Sequence, residues 1–267
     1  MFRHRHCALV VLCLSALSCL GSGAAQTPST EASKTNAKIW VGRYREIEEY
    51  LRTAECLSIQ TFGTYMNMRC ALRPGGPVAL MAWMVLPPGI HRGFFTSYKT
   101  QIAAYELDRL LKMDMVPPSV ERQLQGSTGV ATLWVENVET WKGQVPPSEV
   151  NRAAWDKQVA RIAMFDALIG NRERNQANIL LDKAWNLILL DHTRAFGLAT
   201  DISPPLSRIE RDFWDRVLAL TRKDLDARLR PWLDEDQITA MLERRDKMKA
   251  EIEKLIAEKG ASAVVLR

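Results

Sequence analysis

Residues 165–197, FDALIGNRERNQANILLDKAWNLILLDHTRAFG, carry the most informative pattern in this chain. Two short apolar runs, 179–181 and 187–190, flank a polar turn and predict a hairpin of two strands. Asn178 precedes the first run, and Asp191 follows the second. Because the open ends of a hairpin lie side by side, this spacing predicts that the amide and the carboxylate are close together.

An amide oxygen and a carboxylate together are typical ligands of Mg²⁺, since magnesium prefers hard oxygen ligands and keeps several of its waters. In a second interpretation, Asn178 and Asp191 are a polar pair that only caps the hairpin, and spacing alone favours this one because such loops are commonly rich in Asn and Asp. The residues by themselves leave both interpretations open.

The chain before residue 140 is rich in predicted strands. Residues 39–52 have a helical pattern, and Ser97 is predicted to cap a second helix that ends before Val116. Runs of apolar and β-forming residues, separated by turns that contain glycine or proline, predict an antiparallel meander and two later strands. These runs lie at 55–63, 66–72, 78–86, 119–123 and 130–136.

The chain after residue 140 is predicted to be mostly helical. Ser148 is predicted to cap a long helix, everything from 203 onward has a helical pattern, and Gly260 is predicted to stop the last helix. A strand-rich half with one long helix, followed by a helix-rich half, is an α+β layout of two lobes, 39–140 and 141–267. The cleft between the lobes is the expected site.

Composition excludes several classes of function. Of the 267 residues, 36 are Lys or Arg and 31 are Asp or Glu, so the net charge of +5 is too small to indicate nucleic acid or an anionic membrane as a partner. Only four histidines occur, and two of them lie in the first six residues. A zinc site or a Ser/His/Asp triad would therefore depend on His91 and His192 alone.

The amino terminus has the three parts of a secretory signal. A basic start is followed by an uncharged apolar run at 7–20 and by small residues before Gln26, which predicts a signal peptide over 1–25 and a polar linker over 26–38. The apolar run is too short to span a bilayer, so we expect a secreted or periplasmic protein with no transmembrane segment. A lipoprotein signal with Cys19 as the acylated residue is the alternative.

Removal of the leader would leave two cysteines, Cys56 and Cys70. An even pair in an oxidising compartment can form a disulfide. Two buried free thiols on adjacent strands are the alternative, and spacing alone does not decide between them.

The run N-x-E-R-N-x-x-N at 171–178, followed by LDHTRAFG at 190–197, resembles the catalytic and metal loops of the atypical protein-kinase-like superfamily. This group includes secretory-pathway kinases of the Golgi casein kinase type, HipA-type kinases and phosphatidylinositol kinases. The secretory kinases are the most similar, since 97–122, SYKTQIAAYELDRLLKMDMVPPSVER, also resembles their first-lobe helix and next strand. The resemblance covers about 75–197 and implies a two-lobed kinase-like fold that uses ATP and Mg²⁺.

The resemblance also implies a role for individual residues. Asp191 occupies the position of the metal-binding acid. Asn178 occupies the position of the residue that binds metal and nucleotide together with this acid. Glu173 occupies the position of the catalytic aspartate. The nucleotide-binding positions that normally hold a strand lysine and a helix glutamate are Met84 and Gln101, and no lysine occurs between residues 38 and 99.

These departures predict a degenerate member of the group. The lysine and the glutamate position and neutralise phosphates, so their joint loss predicts a pseudokinase that acts as a nucleotide-binding or regulatory partner, for instance of an active kinase relative. One alternative is a divergent phosphotransferase or nucleotidyltransferase that uses ATP and Mg²⁺, with Arg73 or Arg92 in place of the lysine. The other is a structural role with an empty cleft.

Overall fold

The computed structural model describes residues 36–62, 67–172 and 174–267. The predicted signal peptide, the linker as far as residue 35 and Glu173 lie outside the described residues.

The first half is a helix, a sheet and a second helix. Helix α1 (Tyr44–Thr53) precedes a five-stranded antiparallel sheet with the strand order β1-β2-β3-β7-β6. Helix α2 (Tyr98–Leu111) follows a short hairpin, and Ser97 caps it by accepting a hydrogen bond from the N–H of Lys99. The strands are β1 (Cys56–Phe62), β2 (Asn67–Leu72), β3 (Leu80–Met84), β4 (Gly89–His91), β5 (Phe94–Thr96), β6 (Ser119–Leu124) and β7 (Ser127–Leu133).

Strand β3 shows why the sheet is covered on both faces. Met81 and Trp83 alternate with half-buried residues and belong to a core that includes Ile47 and Leu51 of α1. Met84 points the other way and packs with the cluster that contains Ile102 of α2. Alternation with period two therefore places one helix on each side of the sheet.

The second half is mainly helical. Its large core joins α2, through residues such as Leu107 and Leu111, to the later helices, so that α2 packs in both halves. A three-stranded sheet with the order β10-β9-β8 lies at the start of this half. The elements are β8 (Val138–Thr140), α3 (Arg152–Ile169), β9 (Ile179–Asp182), β10 (Leu187–Leu189), β11 (Ile209–Glu210), α4 (Arg211–Ala219), α5 (Arg222–Leu229), α6 (Glu235–Lys259), α7 (Ala261–Val264) and β12 (Val265–Leu266).

The α+β prediction is confirmed, but several details differ. The long helix α3 is capped by Asn151 and not by Ser148, because a turn closed by the Pro147 carbonyl and the Val150 N–H occupies the predicted start. The first helix begins at Tyr44, after a run of turns. Two short strand pairs were not predicted from the sequence, namely β4 with β5 and the parallel pair of β11 with β12. Strands of two or three residues are too short to show an alternation of apolar and polar residues.

Two open questions from the sequence have structural answers. Cys56 and Cys70 form a disulfide that joins β1 to β2, so the free-thiol alternative is wrong. Within the described part of the chain, no helix is both long enough and apolar enough to cross a membrane.

Candidate nucleotide and metal site

The hairpin of β9 and β10 brings Asn178 and Asp191 together. Ile179 lies opposite Leu189, and the N–H of Leu190 donates to the carbonyl of Asn178 at 2.8 Å. The Nδ2 of Asn178 then donates to the Oδ2 of Asp191 at 3.4 Å. The predicted closeness is present, and the role of the two residues as metal ligands stays a prediction.

The Asp191 carboxylate is exposed and held in one orientation. Its backbone has a φ of 51°, in the left-handed region that Asp tolerates better than most residues. One carboxylate oxygen, Oδ1, accepts hydrogen bonds from the Oγ1 of Thr193 at 2.6 Å and from its N–H at 3.3 Å. The other oxygen accepts from the Nδ2 of Asn178, and the exposed carboxylate offers a hard oxygen ligand of the kind that Mg²⁺ binds along with water and phosphate.

A buried ion pair positions the end of β10. Arg174 makes two hydrogen bonds to Asp166, at 2.7 and 2.9 Å, and donates to the carbonyl of Leu190 at 2.5 Å. Asn171 donates to the same Asp166 carboxylate at 2.8 Å. Sequence reasoning missed Asp166, although an acid within the apolar run of a predicted helix was a signal that it would need a buried partner.

Gln101 ties three parts of the molecule together. Its Nε2 donates to the Oγ of Ser119 on β6 at 3.3 Å, and its Oε1 accepts from the N–H of His192, next to Asp191, at 2.8 Å. Met84 packs among apolar side chains, including Tyr98 and Ile102. The two positions of the expected ion pair are therefore both neutral, and the amide of Gln101 supports the metal loop, which we define as 191–197.

His192 anchors the metal loop in the core of the second half. Its ring is fully buried, packs edge-on against Phe165 at 5.9 Å, and has no hydrogen-bond partner among the described residues. Burial lowers the pKa of His192 well below 6.5, and the charge of Arg174 lowers it further. The imidazole is therefore neutral at physiological pH and acts as a packing group.

The far end of the metal loop is fixed by Arg244 of α6. This buried side chain donates to the carbonyl of Leu168 and to the carbonyls of Gly197 and Ala199, each at 2.8 Å. Burial lowers the pKa of Arg244 to about 10, so the group remains a cation at neutral pH. Gly170 has a φ of 66°, and a Cβ there would lie 3.0 Å from the guanidinium carbon, so glycine allows the close approach.

Replacing Arg244 with Met should lower the free energy of unfolding by about 3 kcal/mol, because the buried carbonyl of Leu168 and the part-buried carbonyls of Gly197 and Ala199 would lose their donor. Lys249→Met is the matched control, since Lys249 is exposed on the same helix and carries the same charge. Urea unfolding of both variants measures the difference. Equal stabilities would contradict a structural role for Arg244.

Comparisons with known proteins identify the architecture. No family model and no curated protein matches the chain. Among solved structures, the Golgi casein kinase with Mn and ADP bound is 15% identical with a TM-score of 0.64, over 87% of this chain and 85% of that one. A hydra Fam20 structure with sugar is 17% identical with a TM-score of 0.62, over 83% and 91%. The fold is kinase-like.

At these identities the comparisons show the fold alone, and they confirm the resemblance to secretory-pathway kinases at that level. Met84, Gln101, Asn178 and Asp191 lie in the described part of the chain, whereas Glu173 does not. Among the described residues, no group of three or more His, Cys, Asp or Glu side chains could hold a metal ion. A cation bound by Asn178 and Asp191 would take its remaining ligands from water and phosphate.

Proposed function

We propose that the protein is a secreted kinase-fold protein that binds a nucleotide with Mg²⁺ and acts as a regulatory partner without efficient phosphoryl transfer. The observation that carries this proposal is the 3.4 Å approach of Asn178 to Asp191 in a kinase-like fold. A structurally similar protein, the Golgi casein kinase, is known with Mn and ADP bound, which supports a nucleotide and a divalent cation as ligands.

The neutral pair Met84 and Gln101 supports the absence of efficient transfer. Phosphoryl transfer depends mostly on positioning and on charges that stabilise the transferred group, and the lysine and the glutamate are central to both. Loss of one partner would leave an uncompensated charge that costs about 3 to 5 kcal/mol, whereas loss of both leaves none. The amide nitrogen and the amide oxygen of Gln101 each have a hydrogen-bond partner, as expected if glutamine is structurally well accommodated at this position.

The residues of the site have separate tasks in this proposal. Asn178 and Asp191 would hold Mg²⁺, which neutralises charge on the phosphate oxygens when it is bound. Thr193 orients the Asp191 carboxylate, and Gln101 holds the backbone that follows it. The Arg174 and Asp166 pair fixes the strand end from which the carboxylate projects.

A divergent phosphotransferase or nucleotidyltransferase is the second candidate, because Glu173 retains a carboxylate at the catalytic position. Its extra methylene displaces the carboxylate, and a displacement of about 1 Å can reduce the rate on the order of a hundredfold. An active kinase relative is the proposed partner of the first candidate, and ATP with Mg²⁺ is the ligand of both.

Calorimetric titration of the mature protein with ADP and ATP, with Mg²⁺ and then with chelator, tests the proposal. We expect weak binding that requires the metal, and no release of phosphate from ATP in the same samples. Absence of binding would show that the proposed function is wrong. Clear turnover would favour the second candidate.

We expect the exported protein to begin near Gln26, because 1–25 has the composition of a cleaved signal. The disulfide between Cys56 and Cys70 supports an oxidising compartment. Amino-terminal sequencing of the protein from the culture medium or periplasm measures the cleavage point. An intact Met1 in the cytosolic fraction would contradict export, and a lipid on Cys19 would favour the lipoprotein alternative.

A further inference from the structure

One face of the five-stranded sheet carries a row of side chains that crosses every strand. Directly opposed residues of antiparallel strands share a face, so the register defines which side chains stand together. From β1 to β6 the members of this row are Gln60, Arg69, Ala82, Thr132 and Ser119.

Met84 stands on the same face as this row. It pairs with Asn67, and Asn67 is two residues before Arg69 on β2. From a strand spacing of about 4.8 Å and a rise of about 3.3 Å per residue, the Cα atoms of Arg69 and Met84 are about 8 Å apart. The long side chain of Arg69 therefore starts close enough to reach the space below Met84. Its guanidinium in this structure lies over Trp134, whose backbone N–H donates to the carbonyl of Leu80 at the other end of β3.

The row leads to the metal loop at its far end. Ser119 accepts a hydrogen bond from Gln101, and Gln101 accepts one from the N–H of His192. The face that carries Arg69 is consequently the face connected to Asp191.

The side-chain partners of Arg69 in the described part of the chain do not neutralise its positive charge. Its Nη2 donates to the amide oxygen of Gln60 at 2.9 Å, and its guanidinium lies 5.4 Å from the ring centre of Trp134. Phe62 packs edge-on against the same Trp134 ring at 5.1 Å. Among the described residues, these partners of the half-buried Arg69 are a neutral amide and an aromatic ring.

We propose that Arg69 binds the nucleotide phosphates in place of the lysine that Met84 has replaced. This inference rests on the proposed function, because it assigns a cation to the same nucleotide site. A guanidinium presents paired N–H donors that match phosphate oxygens, and hydrogen bonds to a charged acceptor are stronger than those to a neutral amide. It is therefore favourable for Arg69 to replace its hydrogen bond to the Gln60 amide by hydrogen bonds to phosphate oxygens.

The other arginines named from the sequence fit this role less well. Arg73 is ion-paired with Glu55, with its Nε at 2.8 Å from the carboxylate, and both side chains are exposed. Arg73 would have to give up a carboxylate before it could bind phosphate. Arg92 lies at the tip of the hairpin of β4 and β5, which is separate from the five-stranded sheet that carries Arg69 and Met84.

Arg69→Met and Arg73→Met form a matched pair, since each removes one arginine from the same stretch of chain. We expect Arg69→Met to weaken the affinity for ADP with Mg²⁺ about tenfold or more, which is the loss of one charged hydrogen-bonded contact. The affinity for adenosine, which has no phosphate, should be unchanged. Arg73→Met should change neither affinity, and thermal unfolding and near-UV circular dichroism of both variants establish that they fold.

Moving the positive charge from position 69 to position 84 gives a more specific test of the role of Arg69. Adding Met84→Lys and Gln101→Glu together to Arg69→Met should recover most of the lost affinity for ADP with Mg²⁺, because a cation returns to the same face from the next strand and has a carboxylate partner. Arg69→Lys should fall between the wild type and Arg69→Met, since a lysine keeps the charge and loses the paired geometry. A purely structural role for Arg69 predicts no recovery in this triple variant.

The outcomes separate this inference from the proposed function. A wild-type protein that binds no nucleotide would overturn both. A wild-type protein that binds ADP with Mg²⁺, together with an Arg69→Met variant that folds and binds it equally well, would overturn the role of Arg69 alone. Weakening by Arg73→Met and not by Arg69→Met would also overturn it and assign the cation to Arg73.

Discussion

Replacement of Asp191 by Ala is expected to abolish metal-dependent nucleotide binding while the protein stays folded. Asp191 is the only carboxylate among the described residues with a hydrogen bond to Asn178, and it is exposed, so its removal leaves no buried cation unpaired. Loss of a direct ligand should exceed the roughly 10- to 100-fold loss that typically follows removal of an outer-shell partner. Calorimetric titration with ADP and Mg²⁺ measures the effect.

Asp191→Asn isolates the charge from the backbone conformation. Asn also tolerates the left-handed φ of 51°, and its side-chain oxygen can still accept from Thr193, so the loop should keep its shape. Asp201→Asn is the control, because Asp201 is an exposed acid ten residues further along that pairs with Arg172. Nucleotide binding that persists in Asp191→Asn and in the presence of chelator would show that the metal assignment is wrong.

The hairpin of the site was predictable because its information is local. The register of this hairpin follows from two apolar runs and the polar turn between them. The polar residues that flank the runs, Asn178 and Asp191, therefore lie side by side. The start of α3 was less predictable, since both Ser148 and Asn151 have side chains that cap helices. A turn at 147–150 decides between them, and its hydrogen bond has no sequence signature of its own.

The supports of the site were not predictable, because they join residues far apart in the chain. Gln101 reaches the N–H of His192 across 91 positions, and Arg244 reaches the carbonyl of Leu168 across 76. Such contacts depend on how α2 and α6 pack in the core of the second half, which no local pattern specifies. The resemblance identified position 101 as functional, but the structure was needed to show that its amide holds the metal loop.

Arg69 illustrates a second limit. Its place on the same face as Met84 follows only from the pairing register of β2 and β3. A shift of one residue would have turned it to the opposite face, so the sequence alone could not assign it to the cleft. Arg73, four positions later, was the residue named from the sequence, and it is ion-paired with Glu55.

Restoration of the missing charges should raise nucleotide affinity only when both are restored. Met84→Lys alone would place a cation among Tyr98, Ile102 and other apolar groups, and Gln101→Glu alone would bury a carboxylate without a cation. Each single change should therefore do little for affinity or destabilise the protein. The double variant restores an ion pair, and we expect a coupling free energy of about 1 to 3 kcal/mol between the two positions.

The surroundings of Gln101 make this double variant structurally tolerable. A glutamate at position 101 can still accept from the N–H of His192, as the amide oxygen does at 2.8 Å. The hydroxyl of Ser119, which now accepts from Gln101, can rotate and donate to the second carboxylate oxygen. The support of the metal loop would then survive the change of charge, so a gain in affinity would report the new ion pair.

Addition of Glu173→Asp to the double variant should bring back measurable release of phosphate or autophosphorylation. The shorter side chain returns the carboxylate to the reach that the resemblance implies for the catalytic position, and a correction of about 1 Å can be worth on the order of a hundredfold in rate. Affinity and turnover of the single, double and triple variants form one thermodynamic cycle. Additive effects at positions 84 and 101 would show that the two residues do not face each other, and strong turnover by the wild-type protein would show that a pseudokinase is the wrong description.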